Sequence, residues 1–186
     1  QVIERLRYYQ RLGVDEFSLF VAVTAIASIA VHLCGVGAME CLVRRVAQDR
    51  SMYPVMLGHN IILTAASGAA LTLLGTIVLP FYFTLAAGPI ANVAVMALMM
   101  ATNIVLVRVI VFTEQVFLAH MNFAAANKVV VGFALARTAA AVVACVVCGV
   151  STVAGWAVWQ FAIHVVVALG CARALAGLGR PRYAIV

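Results

Sequence analysis

The stretch ANVAVMALMMATNIVLVRVIVFTEQVFLA, residues 91–119, is an apolar segment that contains one arginine, Arg108, and one glutamate, Glu114. A transmembrane helix needs about 20 apolar residues, so this stretch is long enough to cross a bilayer. A charged side chain at membrane depth costs about 3 kcal/mol or more unless it faces a protein interior or a water-filled cavity. The stretch therefore predicts a membrane protein with a polar interior, in which the other apolar segments pack around this one.

The composition of the whole chain agrees with that prediction. The chain has 186 residues, of which 66% are hydrophobic and 10% are charged, whereas about half of an ordinary soluble domain is apolar. With short loops, this length accommodates about five or six spanning helices. We therefore expect an all-α membrane protein, a bundle of about five transmembrane helices, with no separate soluble domain.

The apolar runs place the spans at about 17–38, 55–79, 90–119, 129–148 and 153–175. Residues 1–16 are predicted to be a juxtamembrane segment, residues 40–50 a charged loop and residues 176–186 a basic cytoplasmic tail. Because the chain starts at Gln1 and stops after a basic turn, we expect it to be a piece of a longer protein.

Basic residues occur in alternate connections between the predicted spans. Arg44 and Arg45, then Lys128, then the run from Arg173 to Arg182 are separated by connections without charge. The positive-inside rule places the basic connections in the cytoplasm. The net charge of +6 is thus explained by the basic connections on the cytoplasmic side. It predicts contact with anionic lipid head groups and no nucleic-acid partner, because a nucleic-acid surface needs a clustered basic face.

The residues show no enzyme signature. The sequence has no Gly-rich phosphate loop, zinc-type histidine spacing, nucleophile elbow or paired carboxylates, which are the motifs that carry such chemistry. Cys145 and Cys148 form a CxxC within an Ala/Val-rich run, where free cysteine acts as a small hydrophobic residue. We therefore predict a protein that is not an enzyme and that needs no cofactor or metal.

Four residues are candidates for a substrate-binding site: Arg108, Arg137, Glu114 and Asn103. If the two arginines face inward, their guanidinium groups suit a phosphate, to which they present a fork of donors. Asn103 would then extend the inward polar face, and Glu114 would be a local partner or a proton-coupled carboxylate. The alternative is that both arginines extend their stems to the cytoplasmic interface, and that Glu114 is an interfacial charge.

A seam of small residues marks the second span. Ala65, Gly68, Thr72 and Gly75 recur at helical spacings of three, four and seven. Small residues let helix backbones approach closely in a membrane. The seam therefore predicts that this face meets another helix.

Two short motifs resemble a known family. Leu12-Gly13-Val14-Asp15-Glu16-Phe17-Ser18-Leu19-Phe20 resembles the LGxxEYGxF element, with Ser18 where Gly is usual, and Gly35-Val36-Gly37 with Leu42-Val43-Arg44-Arg45 resembles the GxGxxxxLVR loop. Both occur in polysaccharide flippases of the multidrug/oligosaccharidyl-lipid/polysaccharide exporter superfamily. Arg108 and the run of Ala125, Ala126, Asn127 and Arg137 lie at similar places in the later spans.

The resemblance implies that the chain holds helices two to six of a larger, MATE-like, two-lobed transporter in the bacterial inner membrane. The implied activity is the flipping of a lipid-linked oligosaccharide, with polysaccharide biosynthesis proteins as partners. Two other functions stay open. One is an accessory membrane subunit that packs against a polysaccharide polymerase or glycosyltransferase, and the other is a membrane-embedded enzyme.

Overall fold

The computed structural model describes residues 19–35, 37–83 and 88–183, and these form seven α-helices. The helices are α1 (Leu19–Leu33), α2 (Ala38–Gln48), α3 (Tyr53–Val78), α4 (Pro89–Met100), α5 (Val107–Ala119), α6 (Phe123–Val142) and α7 (Val153–Ala176). A π-helical segment, Ala101–Leu106, joins α4 to α5 without a break, and a second one, Val143–Val147, extends α6. The described residues contain no β-strand. The predicted segment 1–16 lies outside them.

Among the described residues, four continuous helices are long and apolar enough to cross a membrane: Arg50–Phe81, Pro89–Ala119, Phe123–Val147 and Val153–Ala176. A fifth span exists if α1 and α2, which are bent by 46° at the break between them, count as one. The prediction of a helical membrane bundle is thereby confirmed. Helix α6 begins at Phe123, earlier than the sequence predicted, because the Asn122 side chain caps it by accepting a hydrogen bond from the N–H of Ala125.

The first predicted span differs from the structure. Instead of one helix over 17–38 and a loop over 40–50, α1 stops at Leu33 and α2 starts at Ala38. Gly35 and Gly37 lie between them with φ of 84° and 75°, a left-handed conformation that glycine adopts without steric cost. Helix α2 is amphipathic, since Met39, Leu42 and Val46 are buried while its charged residues are exposed.

The span from Pro89 to Ala119 lies at the centre of the bundle. Half of the residues in its most apolar window are buried, against at most 17% in the other continuous spans. Helix α5 packs against α2, α6 and α7, and α4 packs against α3 and α7. The stretch around which the sequence is organised is therefore also the centre of the fold.

The basic connections gather at one end of the bundle. Tyr53, at the start of α3, donates a hydrogen bond to the carbonyl of Leu175 at 3.3 Å and packs edge-on against His120, which follows α5. The N–H of Arg182, beyond α7, donates to the carbonyl of Pro54 at 2.8 Å. We call this the basic end; at the opposite end the start of α1 packs with Leu79 and Ala157.

The small-residue seam of α3 faces other helices of the same chain. A Cβ atom added to Gly68 would lie 3.3 Å from both Sγ of Cys34 and Cγ2 of Val105. One added to Gly75 would meet the side chain of Met100. The prediction that this face packs tightly is confirmed, and its contacts lie inside the bundle.

Candidate functional site

Arg108 is a buried cation without a partner. Its side chain is 6% exposed, and Nε has no hydrogen-bond partner. No described residue forms an ion pair or a hydrogen bond with its guanidinium. The side chain therefore points into the bundle, as one of the two sequence-based interpretations predicts, and it does not extend to the interface.

The guanidinium of Arg108 lies beside the break between α1 and α2. A Cβ atom on Gly35 would be 3.2 Å from Nη2 of Arg108 and 3.1 Å from Oγ1 of Thr64. The break is also held to α3, because the N–H of Gly35 donates to Oγ of Ser67 at 2.7 Å. The absence of a side chain at Gly35 thus lets the arginine approach an interrupted helix.

Asn60 is a second buried polar side chain with an unused donor. It is 3% exposed. Its Oδ1 accepts a hydrogen bond from Oγ1 of Thr64 at 3.1 Å, but its Nδ2 has no partner among the described residues. A buried amide donor without a partner costs about 1–3 kcal/mol. Asn60 and Arg108 therefore both present N–H groups that need an acceptor.

Both donors line one cavity of about 310 Å³ among α3, α5 and α7. Apart from Arg108, Asn60 and Thr64, the described residues of its walls contribute apolar side chains and backbone. Four wall residues on α3 and α7 are exposed: Ile61, Ala65, Ala172 and Ala176. The cavity is therefore accessible where these residues of α3 and α7 border it.

Residues 179–183 close this cavity at the basic end. Gly179 and Pro181 belong to its lining, and the N–H of Arg182 is bonded to the carbonyl of Pro54. The segment lies directly on α3, because a Cβ atom on Gly58 would collide with the backbone carbonyl of Arg182. We call residues 179–183 the strap.

The two donors lie at membrane depth. Helix α5 continues from Arg108 to Ala119, so at 1.5 Å per residue the Cα atom of Arg108 is about 16 Å from the basic end. Asn60 follows the start of α3 at Tyr53 by about 10 Å. Half of a bilayer's hydrocarbon core is about 15 Å thick, so an apolar layer that begins at the basic end would have Arg108 near its middle.

Arg137 lies in a different place. It is exposed on α6 and lines a groove of about 610 Å³ with residues of α1, α6 and α7. The groove also contains Gln160 and the buried His164, whose Nδ1 is 2.7 Å from the carbonyl of Gln160. The structure does not bring Arg108 and Arg137 into one cavity, because helix packing turns their side chains to different faces of the bundle.

The other two predicted site residues line neither cavity. Asn103 is half-buried in the π-helical segment, where its Nδ2 donates to the carbonyl of Met99 at 2.8 Å. Glu114 is half-buried on α5, on the basic-end side of Arg108. Of the four predicted residues, only Arg108 therefore contributes to the cavity among α3, α5 and α7.

Asn60 is the residue that the sequence-based prediction missed. Asn60 lies near the start of the second predicted span, at about residue 55, whereas α3 begins at Tyr53 and Asn60 lies two turns inside it. The spacing of Asn60, Thr64 and Ser67 carried the signal, because residues four and seven apart share one helix face. A polar stripe on an apolar helix points to the bundle interior.

Cys145 and Cys148 are free and exposed at the end of α6. In the part of the chain that the structure describes, no group of three or more His, Cys, Asp or Glu side chains is arranged to hold a metal ion.

No protein-family model matches this chain, and neither the curated proteins nor the solved structures contain a match to it. These comparisons identify no family, and the resemblance to polysaccharide flippases stays a prediction from the motifs.

Proposed function

We propose that this chain is part of a transporter that flips a lipid-linked oligosaccharide, or a related anionic amphiphile, across the bacterial inner membrane. The observation that carries the proposal is the buried, unpaired guanidinium of Arg108 at membrane depth. Such a charge is expensive. A substrate phosphate that pairs with it would offset that cost, and a guanidinium suits a phosphate better than an ammonium does.

The interrupted helix beside Arg108 supports the same proposal. Irregular backbone at membrane depth is tolerated where it is buried in protein or lines a cavity. Transporters commonly place substrate sites at such discontinuous helices. The break at Gly35 and Gly37 adjoins the arginine, so a ligand on Arg108 would contact the one described span that is bent in two.

The finer parts of the proposal rest on the motif resemblance. In that proposal the bundle belongs to one lobe of a MATE-like, two-lobed transporter, and it works beside polysaccharide biosynthesis proteins. Arg137 would contact the substrate in its own groove, at a different place from Arg108. Asn103 and Glu114 would act near the path of the substrate through the bundle and not in the cavity that contains Arg108.

One observation favours a second candidate function, that of an accessory membrane subunit. Arg137 is exposed near the middle of the span Phe123–Val147, where contact with lipid is costly. A partner protein that covers the groove would remove that cost. The seam glycines Gly68 and Gly75 do not support this alternative, since they pack inside the chain.

Complementation of a flippase-deficient bacterial strain by the full-length protein tests the proposal. Arg108→Ala should abolish surface polysaccharide, and Arg108→Lys should restore it in part, because lysine keeps the charge but loses the forked geometry. Protein abundance in the membrane is measured in parallel. Failure of the wild-type protein to complement at normal abundance would favour the accessory role, and wild-type polysaccharide from Arg108→Ala would overturn the role of Arg108.

A further inference from the structure

The cavity among α3, α5 and α7 has one polar region in otherwise apolar walls. Its unused donors are Nε of Arg108 and Nδ2 of Asn60. Both belong to side chains that are more than nine-tenths buried. They can therefore bind only a ligand that enters the cavity, and the positive charge of Arg108 selects an anionic one.

The walls also define the rest of the ligand. Beyond the two donors, Thr64 is the one polar side chain among the described residues of the lining, and its hydroxyl already donates to Asn60. Sugar hydroxyls placed against the apolar walls would lose their hydrogen bonds to water without replacement, which costs free energy. Burial of an alkyl chain against the same apolar walls would be favourable. The volume of about 310 Å³ is at the lower limit for ligand pockets.

The openings of the cavity indicate the path by which a ligand enters it. The strap covers the cavity at the basic end through the bond from Arg182 to Pro54. The side between α3 and α7 is bordered by the exposed residues Ile61 and Ala172. A ligand that enters between α3 and α7 would place its anionic head group at Arg108, and its alkyl chain would extend back towards the bilayer.

We infer that this cavity is a site for the oxyanion head and the adjoining alkyl segment of an anionic amphiphile. Arg108 and Asn60 donate hydrogen bonds to the anionic oxygens. That this site binds a transported substrate rests on the proposed function. It assigns to this cavity the phosphate end of a lipid-linked substrate and excludes the sugar from it.

The test measures ligand protection of one cysteine in the full-length protein in nanodiscs of zwitterionic lipid. Ala172→Cys, in a background without other cysteines, places a thiol on the cavity wall. Ala162→Cys, which is exposed on the same helix and lines neither cavity, is the matched control. The probe is n-decyl phosphate, and the rate of maleimide labelling is the readout.

Decyl phosphate should slow labelling at position 172 about tenfold or more at saturation, because a pocket buries most of the surface of its bound ligand, and should leave position 162 unchanged. Decyltrimethylammonium has the same chain and the opposite charge, and it should protect neither. Inorganic phosphate should not protect position 172 at the same concentration, because it lacks the alkyl segment. Equal protection by both amphiphiles would show that the site does not select an anion. Equal protection by inorganic phosphate would show that the site does not need the alkyl segment. Either result would overturn the inference.

Side-chain variants provide the second measurement. Asn60→Ala should weaken decyl phosphate binding roughly fivefold, the equivalent of one hydrogen bond, and Arg108→Gln should remove protection. Lys128→Gln, which removes an exposed charge on α6 that lines neither cavity, should leave binding unchanged. The comparison of decyl phosphate with decyltrimethylammonium uses protein with wild-type Arg108. It therefore tests the inference even if Arg108→Gln fails to fold. Failure of the transport proposal would show in the complementation assay alone, whereas failure of this inference would show as absent protection.

Discussion

The guanidinium of Arg108 lies against Gly35, so closely that a Cβ atom on the glycine would be 3.2 Å from Nη2. Gly35 also has a φ of 84°, a conformation that costs about 1–2 kcal/mol for a residue with a side chain. Gly35→Ala should therefore lower the melting temperature of the purified protein and impair transport. Gly170→Ala is the control, since no atom lies within 4 Å of its added Cβ. Equal stability of the two variants would contradict the proposed contact.

The strap depends on Gly58. Because a Cβ atom there would collide with the backbone carbonyl of Arg182, Gly58→Ala should displace the strap from α3. The N–H of Arg182, which is bonded to Pro54 in the structure, should then exchange its hydrogen faster. Hydrogen exchange measured by mass spectrometry checks this, with Gly170→Ala again as the control. Unchanged exchange over residues 179–183 would show that the strap does not rest on α3.

The seam of α3 should tolerate no large side chains. Replacement of both Gly68 and Gly75 by Leu would force α3 away from Cys34, Val105 and Met100. Overpacking of this kind costs typically 1–3 kcal/mol per site, so the yield of folded protein in detergent should fall. Gly132→Leu on α6, where the surroundings are open, should express normally. Normal yield of the double variant would place the seam against lipid.

The topology is tested with single cysteines in a background without the native ones. Arg45→Cys and Gly177→Cys should react with an impermeant thiol reagent from the cytoplasmic side, because basic connections stay there. Tyr82→Cys, which is exposed at the opposite end of the bundle, should react from outside. Labelling of positions 45 and 82 from the same side would refute the number of spans.

The spans and the central helix were predictable from hydropathy, because a long apolar run has few alternatives to a helix in a membrane. The break at Gly35 was not, since glycine is also common inside straight transmembrane helices. The charges of Arg44 and Arg45 suggested a loop, although Met39, Leu42 and Val46 already showed the helical spacing of an amphipathic helix.

The candidate site was predictable only in part. Arg108 stood out because a cation inside an apolar run is costly. Its separation from Arg137 depends on how α5 and α6 turn against each other, which no local pattern encodes. The sequence does not single out Asn60, because Asn60 lies close to the predicted start of the second span at residue 55, whereas α3 begins at Tyr53.

The central claim is that Arg108 holds the phosphate of a lipid while that lipid crosses the membrane. The most direct measurement is the flipping of a fluorescent, short-chain, phosphate-linked lipid saccharide by the full-length protein in proteoliposomes, with dithionite to quench the outer leaflet. We expect rapid flipping by wild type, intermediate rates for Arg108→Lys and the rate of empty liposomes for Arg108→Ala at equal reconstitution. Loss of one charge-assisted contact corresponds to about tenfold or more in rate. Wild-type flipping by Arg108→Ala would contradict the account.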